Sequence, residues 1–185
     1  MGKLRVKEQN LKKRYIKDYV SDEKGEVKYQ GKYYFSALGE AEGKKEGMTQ
    51  IIFSSLSLLL ILMALSISCS GNRTVYIVIP LELTLFCFWV QLTGSVKLLK
   101  VETKLEQKDY DKVYQSPIQA LTIAIILEIF SFGGQMIGIF MDISKRSKGD
   151  IYFSMILFGI LVVTCVAWNR RRKLMRFVTE ETFKK

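Results

Sequence analysis

The sequence predicts an all-α integral membrane protein: a four-helix transmembrane bundle carrying a small cytoplasmic N-terminal lobe with a short helix and a β-hairpin. Four apolar blocks are each long enough to span a bilayer core of about 30 Å, which needs roughly 20 helical residues. The charged residues, 25% of the 185 residues, lie mainly between these blocks. A chain of this length is also too short to bury four such helices in a water-soluble fold.

The blocks divide the chain into three predicted regions. Residues 1–47 form a basic cytoplasmic region, residues 48–168 the transmembrane domain, and residues 169–185 a basic cytoplasmic tail. The first block begins too far along the chain, and is too long, to be a signal peptide. The predicted spans cover residues 48–68, 75–96, 118–141 and 151–168, and the cytoplasmic loop covers residues 97–116.

The N-terminal region contains two predicted elements followed by a linker. Residues 1–20 are either a basic amphipathic helix lying on anionic lipid or a frayed basic arm, and both interpretations remain open. Residues 19–36 alternate as strands do and contain turn signals, which predicts a hairpin or meander. Residues 39–47 have three glycines with charges between them, which predicts a flexible link.

Charged and turn residues also predict the structure between the second and third spans. The loop 97–116 alternates Lys with Glu or Asp, so we expect the second helix to continue beyond the membrane as a solvated helix. Pro117 then opens the third span, because the first turn of a helix tolerates a missing backbone N–H.

The basic residues predict the orientation. Of the 28 Lys and Arg residues, 24 lie in the N-terminal region, the loop 97–116 and the tail. Because cytoplasmic loops carry the excess of Lys and Arg, both termini are predicted to be cytoplasmic in a multi-pass protein of a cell membrane. The compact chain and short loops favour a bacterial inner membrane. The residues predicted to contact anionic lipid headgroups are Lys12, Lys13, Arg14, Arg170, Arg171, Arg172 and Lys173.

Two acids inside the predicted spans are the candidate functional residues. Glu82 lies roughly 10 Å from the outer end of its helix and Glu128 roughly 15 Å from the inner end, so both fall near the same depth. Intramembrane acids usually face a bundle interior, a partner or a water-filled path. Ser131 and Gln135 continue a polar stripe from Glu128 towards Asp142. The two carboxyls share a proton or a cation in one interpretation, and are neutral, hydrogen-bonded groups in the other.

Small residues on the third span are candidates for helix packing. Gly134 and Gly138 form a small-x-x-x-small pair, which lets helix backbones approach closely. The expected contact is with the second span, the fourth span or another chain.

Several functional classes are excluded by residues that the chain lacks. There is no His, so no imidazole is available as a base, nucleophile or metal ligand. The three Cys residues form no Cys-x-x-Cys motif, and we expect neither a metal nor a cofactor. Enzyme motifs are absent, and the basic and aromatic residues are accounted for by the bilayer, so we expect no catalysis and no nucleic acid partner.

Two functions remain open. The first is a non-catalytic accessory or scaffold subunit of a membrane complex, which is favoured by the modest size and the lack of motifs. The second is a small homo-oligomeric proton- or cation-coupled transporter or channel that uses Glu82 and Glu128. The expected partners are therefore the lipid bilayer and either a second copy of the chain or another membrane protein.

Overall fold

Four long helices form most of the protein. The computed structural model describes residues 18–21, 26–37, 39–100, 104–141 and 147–181. Each of the four helices has the length and apolar composition needed to cross a membrane. The prediction of four long apolar helices is therefore confirmed. They are α1 (Glu40–Ser66), α2 (Val75–Leu98), α3 (Ser116–Met141) and α4 (Lys148–Met175).

Two helices extend beyond the predicted spans. The predicted flexible link 39–47 is wrong, because α1 begins at Glu40. A Cβ atom on Gly47 would lie 2.8 Å from Leu99 Cδ2, so this glycine permits close packing of α1 on the end of α2. Likewise α4 runs on to Met175, and its Arg170 forms an ion pair with Glu46 of α1 at 2.9 Å. Packing and ion pairing thus stabilise these added turns.

Five short strands of the described residues lie at one end of the bundle. Strands β1 (Tyr19–Ser21) and β2 (Val27–Tyr29) form an antiparallel hairpin within the segment predicted to contain one. Strand β3 (Tyr33–Ser36) is the centre of a second antiparallel sheet, with β4 (Lys104–Glu106) and β5 (Val178–Glu181) on its two sides. Strand β3 thus pairs with strands from outside the N-terminal region. Of the helix predicted over residues 1–20, residues 1–17 lie outside the described residues.

The strand β4 corrects the prediction of a charged helix over the loop 97–116. The helix α2 ends at Leu98, and Leu105 in β4 pairs with Tyr34 and is buried. Charges on either side of a buried leucine match the alternation of a strand. An α-helical turn (Gln107–Tyr110) and a π-helical segment (Asp111–Gln115) then lead into α3.

The sheet joins three distant parts of the chain at one end of the bundle. Its strands come from the N-terminal region, the connection between α2 and α3, and the C-terminal tail. We call this the sheet end, and the opposite end the loop end. Stacked tyrosines attach the sheet to the helices: the rings of Tyr34 and Tyr110 are 3.9 Å apart, and the hydroxyls of Tyr114 and Ser36 are 3.3 Å apart.

Buried positions recur at alternating spacings of four and three along the helices. This is the heptad spacing of left-handed helix packing, in which one stripe of each helix faces the bundle. In α1 the stripe consists of Gly43, Gly47, Gln50, Ser54, Ser57, Ile61 and Ala64. In α2 it consists of Ile77, Leu81, Thr84, Phe88, Gln91, Gly94, Ser95 and Leu98.

The outer surface of the bundle is apolar. Large side chains such as Phe86 and Phe140, each 73% exposed, point away from the interior, while glutamines, serines and threonines point into it. Water-soluble proteins rarely expose extended apolar surface. The distribution is the one expected for helices surrounded by lipid.

Replacing Gly94 by Ala should destabilise the contact between α2 and α3. The added Cβ would clash with Pro117 Cγ and lie 3.0 Å from the Lys112 carbonyl oxygen. Overpacking of this kind lowers the free energy of unfolding by roughly 2 kcal/mol. Unfolding of the variant in detergent measures this decrease in the free energy of unfolding. The matched control is Gly133→Ala, since a Cβ there meets nothing within 4 Å. Equal stability of the two variants would contradict the close approach.

Candidate functional site: a polar seam inside the bundle

Buried polar side chains run along the interior of the bundle from one end to the other. We call them the polar seam. All four helices contribute, and most members are less than 3% exposed. Its members are Gln50, Ser54, Ser57, Thr84, Gln91, Ser95, Glu128, Ser131, Gln135, Asp150, Ser154, Thr164 and Arg171.

A pair of glutamines joins three helices towards the sheet end of the seam. Gln91 Nε2 on α2 donates to Gln50 Oε1 on α1 at 2.6 Å, and Gln50 Nε2 donates to the Ala167 carbonyl on α4 at 3.3 Å. Hydrogen bonds between helices are a main source of association in lipid, where no hydrophobic effect drives the helices together. This pair was not predicted, although both residues fall on the heptad stripes of their helices.

Glu128 lies at the centre of the seam. Its side chain is 2% exposed, and its Oε1 accepts a hydrogen bond from the Thr164 hydroxyl on α4 at 2.9 Å. Its Oε2 has no hydrogen-bond partner among the described residues. Glu128 is thus inside the bundle, which is one of the three settings considered for an intramembrane acid.

Glu82 occupies a different place. It lies on the exposed outer face of α2, between the buried residues Leu81 and Thr84. The structure therefore does not bring Glu82 and Glu128 together, even though α2 and α3 pack side by side. Glu82 lies outside the stripe of α2 that carries Thr84, Gln91 and Ser95, which is the face that points into the bundle.

Ser131 and Gln135 lie with Glu128 on one buried face of α3. The Ser131 hydroxyl donates to the Ile77 carbonyl of α2 at 2.9 Å, and Gln135 Nε2 donates to the Asp150 carbonyl of α4 at 3.4 Å. A Cβ atom on Gly71 would clash with Gln135 Oε1, so the amide is tightly enclosed. These two residues bind helices together, and Asp142, the predicted outer end of the stripe, lies outside the described residues.

Asp150 is the member of the polar seam that lies at the loop end. Its Oδ1 accepts from the backbone N–H and the hydroxyl of Ser70 at 3.0 and 2.6 Å. Its Oδ2 accepts from the same two groups of Ser147 at 2.9 and 2.7 Å. The carboxylate thereby joins the connection between α1 and α2 to the start of α4. Asp150 was not predicted to be part of the site, although Ser147-x-x-Asp150 has the spacing of a capping box.

Of the two predicted packing glycines, Gly134 packs closely on another helix among the described residues. A Cβ atom on Gly134 would lie 3.1 Å from the Tyr76 ring and 3.2 Å from Ile77, so Gly134 packs on the start of α2. A Cβ atom on Gly138 would meet nothing within 4 Å. Gly134 serves the bundle, and Gly138 is on its surface.

The basic run after Trp168 is divided between surface and interior. Arg172 lies over the Trp168 ring at 5.2 Å, and both Arg172 and Lys173 are exposed. Arg171 corrects the prediction of a headgroup contact, because it is 0% exposed and donates to the Val113 carbonyl of the π-helical segment. It continues the buried stripe of α4. Arg170 pairs with Glu46, and Lys12, Lys13 and Arg14 lie outside the described residues.

Most of the polar seam is a set of hydrogen bonds that join helices. Within the described residues, no group of three or more His, Cys, Asp or Glu side chains is arranged to hold a metal ion. Glu128 Oε2, Gln91 Oε1, Ser57 Oγ and two nitrogens of Arg171 are the seam atoms with no partner in the described part of the chain. Comparisons with protein-family models, with curated proteins and with solved structures each return no match.

Replacing Asp150 by Asn should loosen the loop end of the bundle. One carboxylate oxygen becomes an amide NH₂, a donor that faces donors of Ser70 or Ser147. Losing hydrogen bonds to a charged acceptor lowers the free energy of unfolding by about 2 kcal/mol. Unfolding in detergent again measures the change, and Glu42→Gln on the exposed start of α1 is the matched acid-to-amide control. A D150N variant as stable as the wild type would show that the loop end does not depend on this carboxylate.

Proposed function

We propose that the protein is a non-catalytic membrane component, an accessory or scaffold subunit of a membrane complex, which binds another membrane protein through the outer face of α2. The observation that carries the proposal is the position of Glu82. Its carboxyl lies on an apolar surface outside the bundle, whereas Glu128 lies inside and is bonded to Thr164. A carboxyl facing hydrocarbon is costly, so a partner that donates a hydrogen bond to it would be stabilising.

The surroundings of Glu82 have the spacing of a helix-binding surface. Ile79, Glu82, Phe86, Trp89 and Thr93 follow one another at intervals of three and four, and all are exposed. That spacing presents one continuous stripe to a neighbouring helix. Aromatic side chains supply large contact areas, and the single carboxyl would fix the register. The partner helix would therefore carry a hydrogen-bond donor at the depth of Glu82.

The proposed setting is a cell membrane, crossed four times, with the sheet end in the cytoplasm. The sheet brings the three basic regions of the chain to one end, and the positive-inside rule assigns such an end to the cytoplasm. Arg172 and Lys173 are exposed there and would contact anionic headgroups, as would Lys12, Lys13 and Arg14. A bacterial inner membrane is the compartment that we propose.

Crosslinking in the native membrane tests the proposed surface. A photoreactive residue at Phe86, on the outer face of α2, should trap a different membrane protein at fixed stoichiometry. The same residue at Phe130, which is similarly exposed on α3, should not. Glu82→Leu should reduce the trapped fraction by about tenfold, because interhelical hydrogen bonds contribute on the order of 1–2 kcal/mol. Equal trapping from both positions, or trapping unaffected by E82L, would contradict the proposal.

A second candidate function rests on the unpartnered Oε2 of Glu128. As a homo-oligomeric transporter or channel, the protein would bind a proton or a cation at this buried carboxyl. Glu128→Gln should then abolish proton or cation flux in reconstituted vesicles, while the wild-type and E128Q chains form the same oligomer. Flux that is absent from the wild type, or equal in wild type and variant, would exclude this function.

A further inference from the structure

A basic cavity lies at the sheet end, beside the last turn of α2. We call it the lysine pocket. Its volume is about 740 Å³, within the range of small-molecule sites. Its lining includes three lysines, an aromatic ring and three aliphatic side chains: Lys97, Lys100, Lys104, Tyr33, Val96, Leu105 and Val113.

The fold holds the three lysines around one space. Lys97 is in the last turn of α2, and Lys100 follows shortly after the helix ends. Lys104 begins β4, whose pairing with β3 fixes its position opposite Phe35. The Lys104 ammonium lies 3.9 Å from the centre of the Tyr33 ring, so the aromatic face orients it at the wall of the pocket.

Among the described residues that line the pocket, three lysines face two acids. Two acids, Glu106 and Asp109, also line it, and Glu106 accepts a hydrogen bond from the Tyr19 hydroxyl. Lys112 lies close to Lys97 and to Lys108, which adds two further cations to the three in the wall. Neither Lys97 nor Lys100 forms an ion pair with an acid in the described part of the chain. An anion from outside would offset the repulsion among these like charges.

The chemistry of the pocket fits a phosphate group. Lysine ammonium groups bind phosphate as point charges. That phosphate belongs either to a lipid headgroup or to a free phosphate compound in water. The position of Val96 distinguishes them, because this side chain is 46% exposed and continues the apolar outer surface of α2 into the pocket. A lipid has an apolar end to place there, whereas a free phosphate does not.

We propose that the lysine pocket binds the phosphate headgroup of an anionic phospholipid, with Lys97, Lys100 and Lys104 around the phosphate and the acyl end against Val96. Basic residues directly beside a spanning helix are the usual partners of anionic headgroups. The site uses none of the residues of the surface around Glu82, so it stands independently of the proposed partner.

Thermal unfolding of the full chain in neutral detergent tests the site. A ligand that binds the folded state raises the unfolding temperature with its concentration. Phosphatidylglycerol should raise it, and phosphatidylcholine, glycerol phosphate and inorganic phosphate should not. The variant K97Q/K100Q/K104Q should bind phosphatidylglycerol on the order of 100-fold more weakly. The control K32Q/K44Q/K45Q removes the same charge from the same end of the protein and should bind as the wild type does.

The single variant Lys100→Gln tests the site if the triple variant unfolds. Lys100 lies outside the helices and strands, and its loss should weaken binding about fivefold. Equal weakening by the control triple variant would overturn the proposal, because a general charge effect would then explain the binding. Stabilisation by inorganic phosphate or glycerol phosphate equal to that by phosphatidylglycerol would overturn the lipid assignment.

Discussion

In an apolar surrounding, a polar side chain on a helix must find its hydrogen-bond partner within the protein, and this constraint accounts for most of the bundle. It places glutamines, serines and threonines on the heptad stripes that face inward. It also explains the direct bond between Gln91 and Gln50, since neither amide would be satisfied by lipid. Small residues beside these groups, such as Gly134 next to the bond from Ser131 to the Ile77 carbonyl, let the helices approach closely. Large apolar side chains are left for the outer surface.

The parts of this arrangement that depend on local sequence pattern could be predicted from the sequence. Four apolar blocks predicted four helices, and a spacing of three and four placed Glu128, Ser131 and Gln135 on one face. The same spacing applied to α2 would have placed Glu82 outside, because Thr84, Gln91 and Ser95 mark the buried stripe and Glu82 is not on it. Arg171 was assigned to the surface because it lies within a run of charges. Its spacing from Thr164 and Ala167 continues the buried stripe of α4 and would have placed it inside.

Pairing between strands that lie far apart in the sequence was not predicted. The strand β4 has only three residues, and it forms because β3, far away in the sequence, offers it a partner. The same pairing positions Lys104 in the lysine pocket. No local sequence motif marks this pocket, because the topology brings its residues together. One helix, α2, thereby carries both the surface proposed for a protein partner and the pocket proposed for a lipid. The two lie at different depths of the same helix.

The strands of the sheet are separated by helices along the chain, so the sheet can form only when the helices have the right directions. During synthesis β3 precedes all four helices, β4 follows the second, and β5 follows the fourth. The three strands can meet only if every helix runs in the direction opposite to the one before it. A chain with one helix reversed would carry its tail to the other end of the bundle and leave one edge of β3 without a partner. The completed sheet therefore forms only in copies whose four helices alternate in direction, so the sheet and the order of the helices depend on each other.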